Sequence, residues 1–314
     1  MKRILSILLI LTLALVLSVP VLAANEGAER VVVGADLSED QILSVYGQFG
    51  LMRGAVPELK VTNAEERSYL QGIVSESIIG TRSISCIYIK LLSENSGLTV
   101  STNNITWCTQ DMYRSALMTA GIYDAEVRVG APFPVSGTAA LTGIYKAYED
   151  ITGQKLSEEA KAAAADELVI TAELADALEE AGIPVPENSD QLAEQVAQAD
   201  AVAIVNELKL ILDETQTMSD DELRIQIINI ANQYGYTISD EYIEKLISLC
   251  RSMEGLSISE LTEKVEQFKA GVATVKQYAD TVQEYTQKAV TFGQKVSGFF
   301  ESIANFFRGL FGKN

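Results

Sequence analysis

Residues 82–107 read RSISCIYIKLLSENSGLTVSTNNITW, and this stretch decides the fold that the sequence predicts. It contains two runs rich in β-branched and aromatic residues, which are typical of strands. The residues between the two runs include three that favour a turn, namely Asn95, Ser96 and Gly97. We therefore expect an antiparallel hairpin of strands 82–92 and 98–107, with Leu92 opposite Thr99.

A strand and a capped helix flank this hairpin on each side. Upstream, residues 58–62 have strand composition and a helix follows to about Ile73; downstream, Thr109 begins a helix and residues 125–129 form a strand. The order strand, helix, strand, strand, helix, strand is that of a ferredoxin-like βαββαβ sandwich. An extra strand at residues 30–35, and the helix after it, are expected at one edge of the sheet.

The composition changes after Pro132, where strand patterns end and Ala, Leu, Glu and Gln dominate. Capping residues and glycines divide the rest of the chain into helices. The predicted fold class is therefore α+β. We expect an α+β domain at residues 25–135, a helical domain at 136–254 and a long heptad-patterned amphipathic helix at 255–314.

The C-terminal helix has the strongest periodicity in the chain. From Ile258 onward, apolar residues recur in alternating steps of three and four, the spacing of a coiled coil. Residues 292–314 are rich in phenylalanine and mildly basic. This composition predicts a surface that binds an anionic membrane, an envelope protein or a second copy of the chain. The surface consists of Phe299, Phe300, Ile303, Phe306, Phe307, Leu310 and Phe311. The alternative is that these side chains pack inside a helical bundle.

The first 23 residues have the pattern of a secretory signal peptide. Lys2 and Arg3 precede an apolar run at residues 4–19, and Val21 and Ala23 form a small-residue cleavage site. We expect cleavage near Ala23 and a secreted or extracytoplasmic protein. The chain carries 24 basic and 43 acidic side chains, a net charge of −19, which argues against a nucleic-acid partner.

Histidine is absent from the sequence, which excludes several classes of active site. A Ser-His-Asp triad, a Cys-His pair and a His-ligated zinc or haem site all require this residue. The three cysteines include no Cys-x-x-Cys pair, so a four-thiolate zinc site is also excluded. No metal ion, cofactor or catalytic residue is therefore predicted.

The hairpin register places two of the cysteines on opposite faces of the sheet. With Leu92 opposite Thr99, Cys86 shares a face with Ile105 and Trp107, and Cys108 lies on the other face. A disulfide between Cys86 and Cys108 is disfavoured for this reason. Cys250 lies among apolar residues of a helix and is interpreted as a small buried side chain, so all three thiols are expected to be free.

One segment is a candidate ligand site. Residues 131–138, APFPVSGT, join the last strand to a helix, so Ser136, Gly137 and Thr138 lie at a helix N-terminus where an anion or carboxylate could bind. We expect Arg82, Asn104 and Trp107, together with Asn103, to line a cleft nearby. The alternative is that Ser136 is only the N-cap of the helix. The site hypothesis requires Arg82 and Ser136 to open on one cavity.

Four segments carry a family resemblance: ERVVVGADL at residues 29–37, GTRSIS at 80–85, NITW at 104–107 and APFPVSGTAALTG at 131–143. In these segments the chain resembles the YpuA-like family of secreted proteins from Gram-positive bacteria, which is a domain of unknown function. The resemblance covers residues from Glu29 to about Cys250. It implies an exported protein associated with the cell envelope, and it supplies no catalytic residues.

Two functional hypotheses follow. The first is a non-enzymatic envelope protein with a binding or scaffold role, held in place or assembled by its C-terminal helix. The alternative is a ligand-binding protein or hydrolase that uses the helix start at Pro132 to Gly137 with Arg82 and Trp107.

Overall fold

The structure is a computed structural model that describes residues 25–70, 76–182 and 190–268. The predicted signal peptide at residues 1–23 and the Phe-rich surface from Phe299 to Phe311 lie outside the described residues. The strands are β1 (Glu29–Gly34), β2 (Glu58–Val61), β3 (Cys86–Leu91), β4 (Leu98–Ile105) and β5 (Ala125–Val135).

Helices account for most of the remaining described chain. They are α1 (Glu39–Gln48), α2 (Asn63–Leu70), α3 (Glu76–Ile79), α4 (Gln110–Thr119), α5 (Ala140–Thr152), α6 (Glu158–Ala181), α7 (Asp190–Leu210), α8 (Leu212–Thr215), α9 (Asp220–Gln233) and α10 (Asp240–Met253). A further helix, α11, occupies residues 258–268. The mixed α+β class is confirmed. No helix in the part of the chain described is both long and apolar enough to cross a membrane.

Local capping explains where several helices begin. The side chains of Ser38, Thr109, Ser157 and Ser219 accept hydrogen bonds from backbone amides in the first turns of α1, α4, α6 and α9. A polar side chain at this position satisfies amides that have no acceptor within the helix.

The five strands form one mixed sheet in the order β2-β1-β3-β5-β4. Strands β1 and β2 are parallel, β4 and β5 are parallel, and β3 is antiparallel to both β1 and β5. This order differs from the predicted ferredoxin-like arrangement. The predicted hairpin is wrong, because β5 lies between β3 and β4: Val129 is paired with Ile87 on one side and with Thr102 on the other.

Burial explains the order of the strands. The side chains of Ala125, Val127 and Val129 in β5 are all buried, whereas every second residue at the start of β4 is exposed. The more apolar strand takes the interior position and the polar strand takes the edge. The same reason places β1, with buried Val31, Val32 and Val33, inside the sheet rather than at the predicted edge.

The two faces of the sheet have cores of different size. On one face, Val31, Val33 and Cys86 pack in a small cluster with Ile42 and Tyr46 of α1. The other face belongs to a continuous core that includes residues of α4 to α7 and α9 to α11. Residues on both sides of position 135, the predicted domain boundary, share this second core.

Helix α11 is the part of the heptad pattern that the structure describes. Its apolar positions Ile258, Leu261, Val265 and Phe268 are all buried in the large core. The guanidinium of Arg114 lies 4.5 Å from the centroid of the Phe268 ring, which adds a cation–π contact. The beginning of the heptad run therefore packs internally.

Candidate functional site

Strand direction brings two distant segments together at one edge of the sheet. Strands β1, β2, β4 and β5 all run the same way, so their carboxyl ends meet at the edge where the antiparallel β3 begins. Residues 79–85 precede β3 and residues 135–139 end β5 and follow it, so both lie at this edge. In open α/β sheets, this is the edge at which ligands bind.

A cavity of about 360 Å³ lies between these two segments. Arg82 and Ser85 line it from one side, and Ser136, Gly137 and Thr138 line it from the other. Arg82 and Ser136 thus share one cavity, as the site hypothesis requires. The volume falls within the range of roughly 300–1,000 Å³ that is usual for small-molecule sites.

Helix α5 begins at the floor of this cavity, and its start differs from the predicted one. The N-cap is Ala139 rather than Ser136, and no side chain caps the first turn. Ala139 also lines the cavity. The positive end of the helix therefore faces the cavity without the side-chain acceptor that Ser38 or Ser219 supplies elsewhere in the chain.

Gly137 holds the chain in the conformation that leads into α5. Its φ is +99°, and a β-carbon there would lie 2.5 Å from both Cγ2 of Ile105 and Oη of Tyr113. The buried Tyr113 hydroxyl donates a hydrogen bond of 2.5 Å to the Gly137 carbonyl oxygen. The Cys108 amide donates to the carbonyl oxygen of Ser136 at 3.1 Å. These contacts fix the backbone on one side of the cavity.

Two hydroxyl groups of the cavity wall have no protein partner. Thr138 is 1% exposed and Ser85 is 6% exposed, and both line the cavity. Neither hydroxyl bonds to another described residue, and neither oxygen is among the fully buried unpaired atoms of the described chain, so both reach the cavity. A polar ligand in the cavity could supply the missing partners.

Arg82 differs from the other arginines in the described residues. Those at positions 30, 53, 67, 114, 128, 224 and 251 all form salt bridges with carboxylates. Arg82 is exposed, lines the cavity and has no such bridge in this part of the chain. Its guanidinium is thus available to an anion.

A buried polar group supports the wall that carries Arg82. The hydroxyl of Ser83 donates to Oε1 of Glu66 at 2.5 Å, and the Ser83 amide donates to Oδ2 of Asp36 at 2.7 Å. Glu66 is fully buried, and desolvation raises its pKa to about 7. Arg67 of α2 donates to the carbonyl oxygen of Gly80 at 2.8 Å. The wall is therefore anchored to the end of β1 and to α2.

The structure places Asn104 and Trp107 outside this cavity. Asn104 lies at an irregularity in the pairing of β4 with β5, with a φ of +57°, and its amide donates to the Ala131 carbonyl oxygen at 2.8 Å. The Trp107 indole donates to Oδ2 of Asp176 at 2.8 Å, and Trp107 lines a separate polar cavity of about 380 Å³ with Glu194. Neither residue joins Arg82 and Ser136.

A buried polar cluster between α4, α6 and α7 is not among the features predicted from the sequence. Lys209 Nζ lies 2.5 Å from Oε1 of Glu167 and donates to Oγ of Ser115 at 2.9 Å. The hydroxyls of Ser115 and Thr119 lie within 2.5 Å of the two Glu167 oxygens, and Asn206 lies beside Ser115. A serine next to a lysine can act as a nucleophile and base, but every member is buried, so a substrate cannot reach this cluster.

The three cysteines are free and buried. Cys86 belongs to the small core cluster, whereas Cys108 belongs to the large core that Ile105 and Trp107 contact. The prediction that Cys86 shares a face with Ile105 and Trp107 is therefore wrong, because β3 and β4 are not paired. Burial raises the pKa of Cys86 and of Cys250 to about 12.

Comparisons with known proteins give a family but no activity. The model of a family described as "Protein of unknown function (DUF1002)" matches residues 33–289. The chain is 36% identical over 236 residues to "Uncharacterized protein YpuA" of Bacillus subtilis (strain 168), which covers 75% of each chain. No solved structure matches.

Proposed function

Because the chain belongs to the DUF1002 family of proteins of unknown function, a role must be sought in its own residues, and we propose an exported, envelope-associated binding protein without catalytic activity. The cavity between residues 79–85 and 135–139 is its ligand site. The single observation that supports this proposal is that Arg82 and Ser136, which are distant in the sequence, line one cavity.

The residues that line the cavity favour binding over hydrolysis. Among the described residues, its lining consists of hydroxyl side chains, glycines, apolar groups and Arg82. A hydrolase needs a general base beside its nucleophile, and an arginine remains protonated in proteins. The described lining contains no carboxylate or lysine side chain that could serve as this base, so the hydrolase alternative is the weaker one.

The proposed export rests on the N-terminal sequence. The basic start, the apolar run at residues 4–19 and the Val21-x-Ala23 site support cleavage near Ala23 and a location outside the cytoplasmic membrane. The net charge of −19 supports the expectation that nucleic acid is not a partner.

The proposed attachment to the envelope rests on the C-terminal sequence. The stripe Phe299, Ile303, Phe306 and Leu310, widened by Phe300, Phe307 and Phe311, has the composition of a helix that lies on an anionic membrane. An envelope protein or a second copy of the chain could be the partner instead. The basic residues Lys295, Arg308 and Lys313 favour the anionic surface.

A ligand screen tests the binding role. The mature protein and a Ser85→Ala/Thr138→Val variant would be heated with a panel of sugars, nucleosides, peptides, carboxylates and phosphates. We expect at least one compound class to raise the melting temperature of the wild type and to have less effect on the variant. If no class changes the wild-type melting temperature, the binding role is wrong.

Fractionation tests the location. The full chain and a variant that lacks residues 292–314 would be expressed in a Gram-positive host. We expect the full chain in the envelope fraction and the shortened chain in the medium, both without Lys2 and Arg3 by intact-mass analysis. Exported protein that retains these two residues would contradict the signal peptide, and unchanged envelope binding of the shortened chain would contradict the attachment.

A further inference from the structure

We propose that the cavity at the carboxyl edge of the sheet binds the phosphate group of its ligand, with Arg82, Ser85 and Thr138 as donors at the N-terminus of α5. This inference rests on the binding role proposed above and names the chemistry of that ligand. It stands on three independent observations, namely an unpaired cation, two cavity-lining hydroxyls without protein partners and an uncapped helix start.

The unpaired cation is the first observation. In a chain with 43 acidic side chains, carboxylates are abundant, and seven arginines of the described part are bound to them. Arg82 is the exception there, and it lines the cavity. Its planar guanidinium has five donors arranged to bind two oxygens of one anion.

The cavity-lining hydroxyls are the second observation. Ser85 comes from the segment before β3, and Thr138 comes from the segment after β5, so the two hydroxyls belong to opposite walls of the cavity. Because neither hydroxyl is used by another described residue, both can donate to an acceptor bound between the walls.

The helix start is the third observation. Helix α5 has 13 residues, and its N-cap Ala139 lines the cavity without offering a side-chain acceptor to the first-turn amides. The N-terminus of a helix carries a partial positive charge and presents backbone donors. An anion at this position would take the place of the side-chain cap that Thr109 provides for α4.

The number of donors favours phosphate over carboxylate. The residues that line the cavity from its two segments supply one guanidinium, two hydroxyls and the start of α5. This set offers more donors than the two oxygens of one carboxylate commonly engage. A phosphate offers three or four oxygens in a tetrahedral arrangement. The cavity of about 360 Å³ also exceeds a lone phosphate, so the ligand is a phosphate ester with an organic part.

Calorimetric titration of the mature protein tests this inference. The probes are inorganic phosphate, glycerol 3-phosphate, acetate, glycerol and vesicles of phosphatidylglycerol. We expect glycerol 3-phosphate to bind more tightly than acetate and glycerol not to bind. Arg82→Gln should weaken phosphate binding about tenfold, the effect of losing one charged hydrogen-bonding partner, and Thr138→Val should weaken it by a smaller factor.

Arg224→Gln is the matched control, because it removes one exposed arginine that lies outside the cavity lining. It should change the dissociation constant less than twofold. Equal losses in Arg82→Gln and Arg224→Gln would overturn the proposal, since they would indicate a general charge effect. Acetate binding as tight as phosphate binding would also overturn it, in favour of a carboxylate ligand.

The probes also distinguish a lipid headgroup from a soluble phosphate ester, and failure of the phosphate inference from failure of the binding role. Binding of both glycerol 3-phosphate and vesicles, weakened by Arg82→Gln, supports a lipid headgroup; binding of glycerol 3-phosphate alone supports a soluble ester. Vesicle binding that depends on residues 292–314 but not on Arg82 is the attachment proposed above and excludes a lipid headgroup as the cavity ligand. Failure of glycerol 3-phosphate to bind overturns the cavity as the phosphate site. If a neutral compound binds and Thr138→Val weakens it, the binding role stands and the phosphate inference fails.

Discussion

Gly34 at the end of β1 lies directly against the carbonyl group of Ser83 in the cavity wall. A β-carbon at position 34 would stand 2.2 Å from the Ser83 carbonyl oxygen and 2.6 Å from its carbon. Both neighbours are backbone atoms, so they cannot move without shifting the segment that carries Arg82 and Ser85. The close approach therefore packs the end of β1 against the segment that carries Arg82 and Ser85.

Gly34→Ala should therefore destabilise the protein, by about 1–3 kcal/mol as for other overpacked sites. Gly47→Ala is the control: Gly47 is exposed in α1, a β-carbon there meets no atom within 4 Å, and alanine should stabilise the helix by about 0.5–1 kcal/mol. Urea denaturation of both variants measures the difference. Equal midpoints in the two variants would contradict the close contact.

Glu66 should make stability depend on pH. Its pKa in the folded chain is about 7, above the ordinary 4.5, so the folded state holds the proton more tightly than the unfolded state. The resulting stabilisation is complete below pH 4.5 and is lost as the pH rises through 7. Relative to Glu66→Gln, the wild type should lose on the order of 2 kcal/mol across this range.

Denaturant midpoints at several pH values measure this effect, and Glu94→Gln, an exposed acid in the turn after β3, is the control. The control should follow the wild-type profile. A Glu66→Gln profile as steep as that of the wild type would show that Glu66 is not the titrating group.

The buried pair Lys209 and Glu167 should behave as a unit. Burial lowers the pKa of Lys209, and the neighbouring Glu167 carboxylate opposes this shift. Lys209→Met leaves Glu167 without its cation in the core and should destabilise the protein by about 3–5 kcal/mol. Adding Glu167→Gln should recover part of this loss. A double-mutant cycle by chemical denaturation measures the coupling, and strictly additive effects would mean that the pair does not interact.

The cysteines should react slowly in the folded protein. Cys86, Cys108 and Cys250 are buried, and burial raises the pKa of each thiol, so little thiolate is present at neutral pH. Iodoacetamide should modify none of them quickly in the native state and all three after denaturation without reductant. A disulfide between Cys86 and Cys108 in the intact mass would contradict the two separate cores.

The heptad run should divide into a structural part and an attachment part. Leu261→Ala and Val265→Ala create cavities in the large core, and Leu261→Ala should destabilise the protein by about 2–4 kcal/mol. Joint replacement of Phe299, Phe306 and Phe307 by Ser should instead release the protein from anionic vesicles with little change in melting temperature. A loss of several degrees in that triple variant would show that these phenylalanines belong to the core.

Local features of the fold could be predicted from the sequence because they depend on neighbouring residues. The sequence predicts a helix start at Thr109, and the Thr109 side chain does cap α4, as those of Ser38 and Ser219 cap α1 and α9. Strand pairing, in contrast, depends on residues that are distant in the sequence. The turn at residues 94–97 does reverse the chain, but which strand lies beside β3 depends on β5, and the hairpin pattern carries no information about it.

The candidate site was predictable only in part for the same reason. The segment from Pro132 to Thr138 has the pattern of a strand end followed by a helix start. This pattern identifies Ser136, Gly137 and Thr138 as candidate site residues, and all three line the cavity. Ser85 was missed, because a serine next to a strand has no distinctive signal until the opposite wall is known. The cluster around Lys209 was missed as well, since Ser115 and Lys209 lie 94 residues apart.

The strand order also determines how late in the chain the partners of β1 occur. Strand β1 is among the first described residues, yet its neighbour β3 lies beyond β2 in the chain, the interior strand β5 ends at Val135, and the core closes only with Phe268 of α11. Chains whose contacts join distant residues fold slowly. Strand β1 can therefore complete its contacts only after most of the later chain has been synthesised.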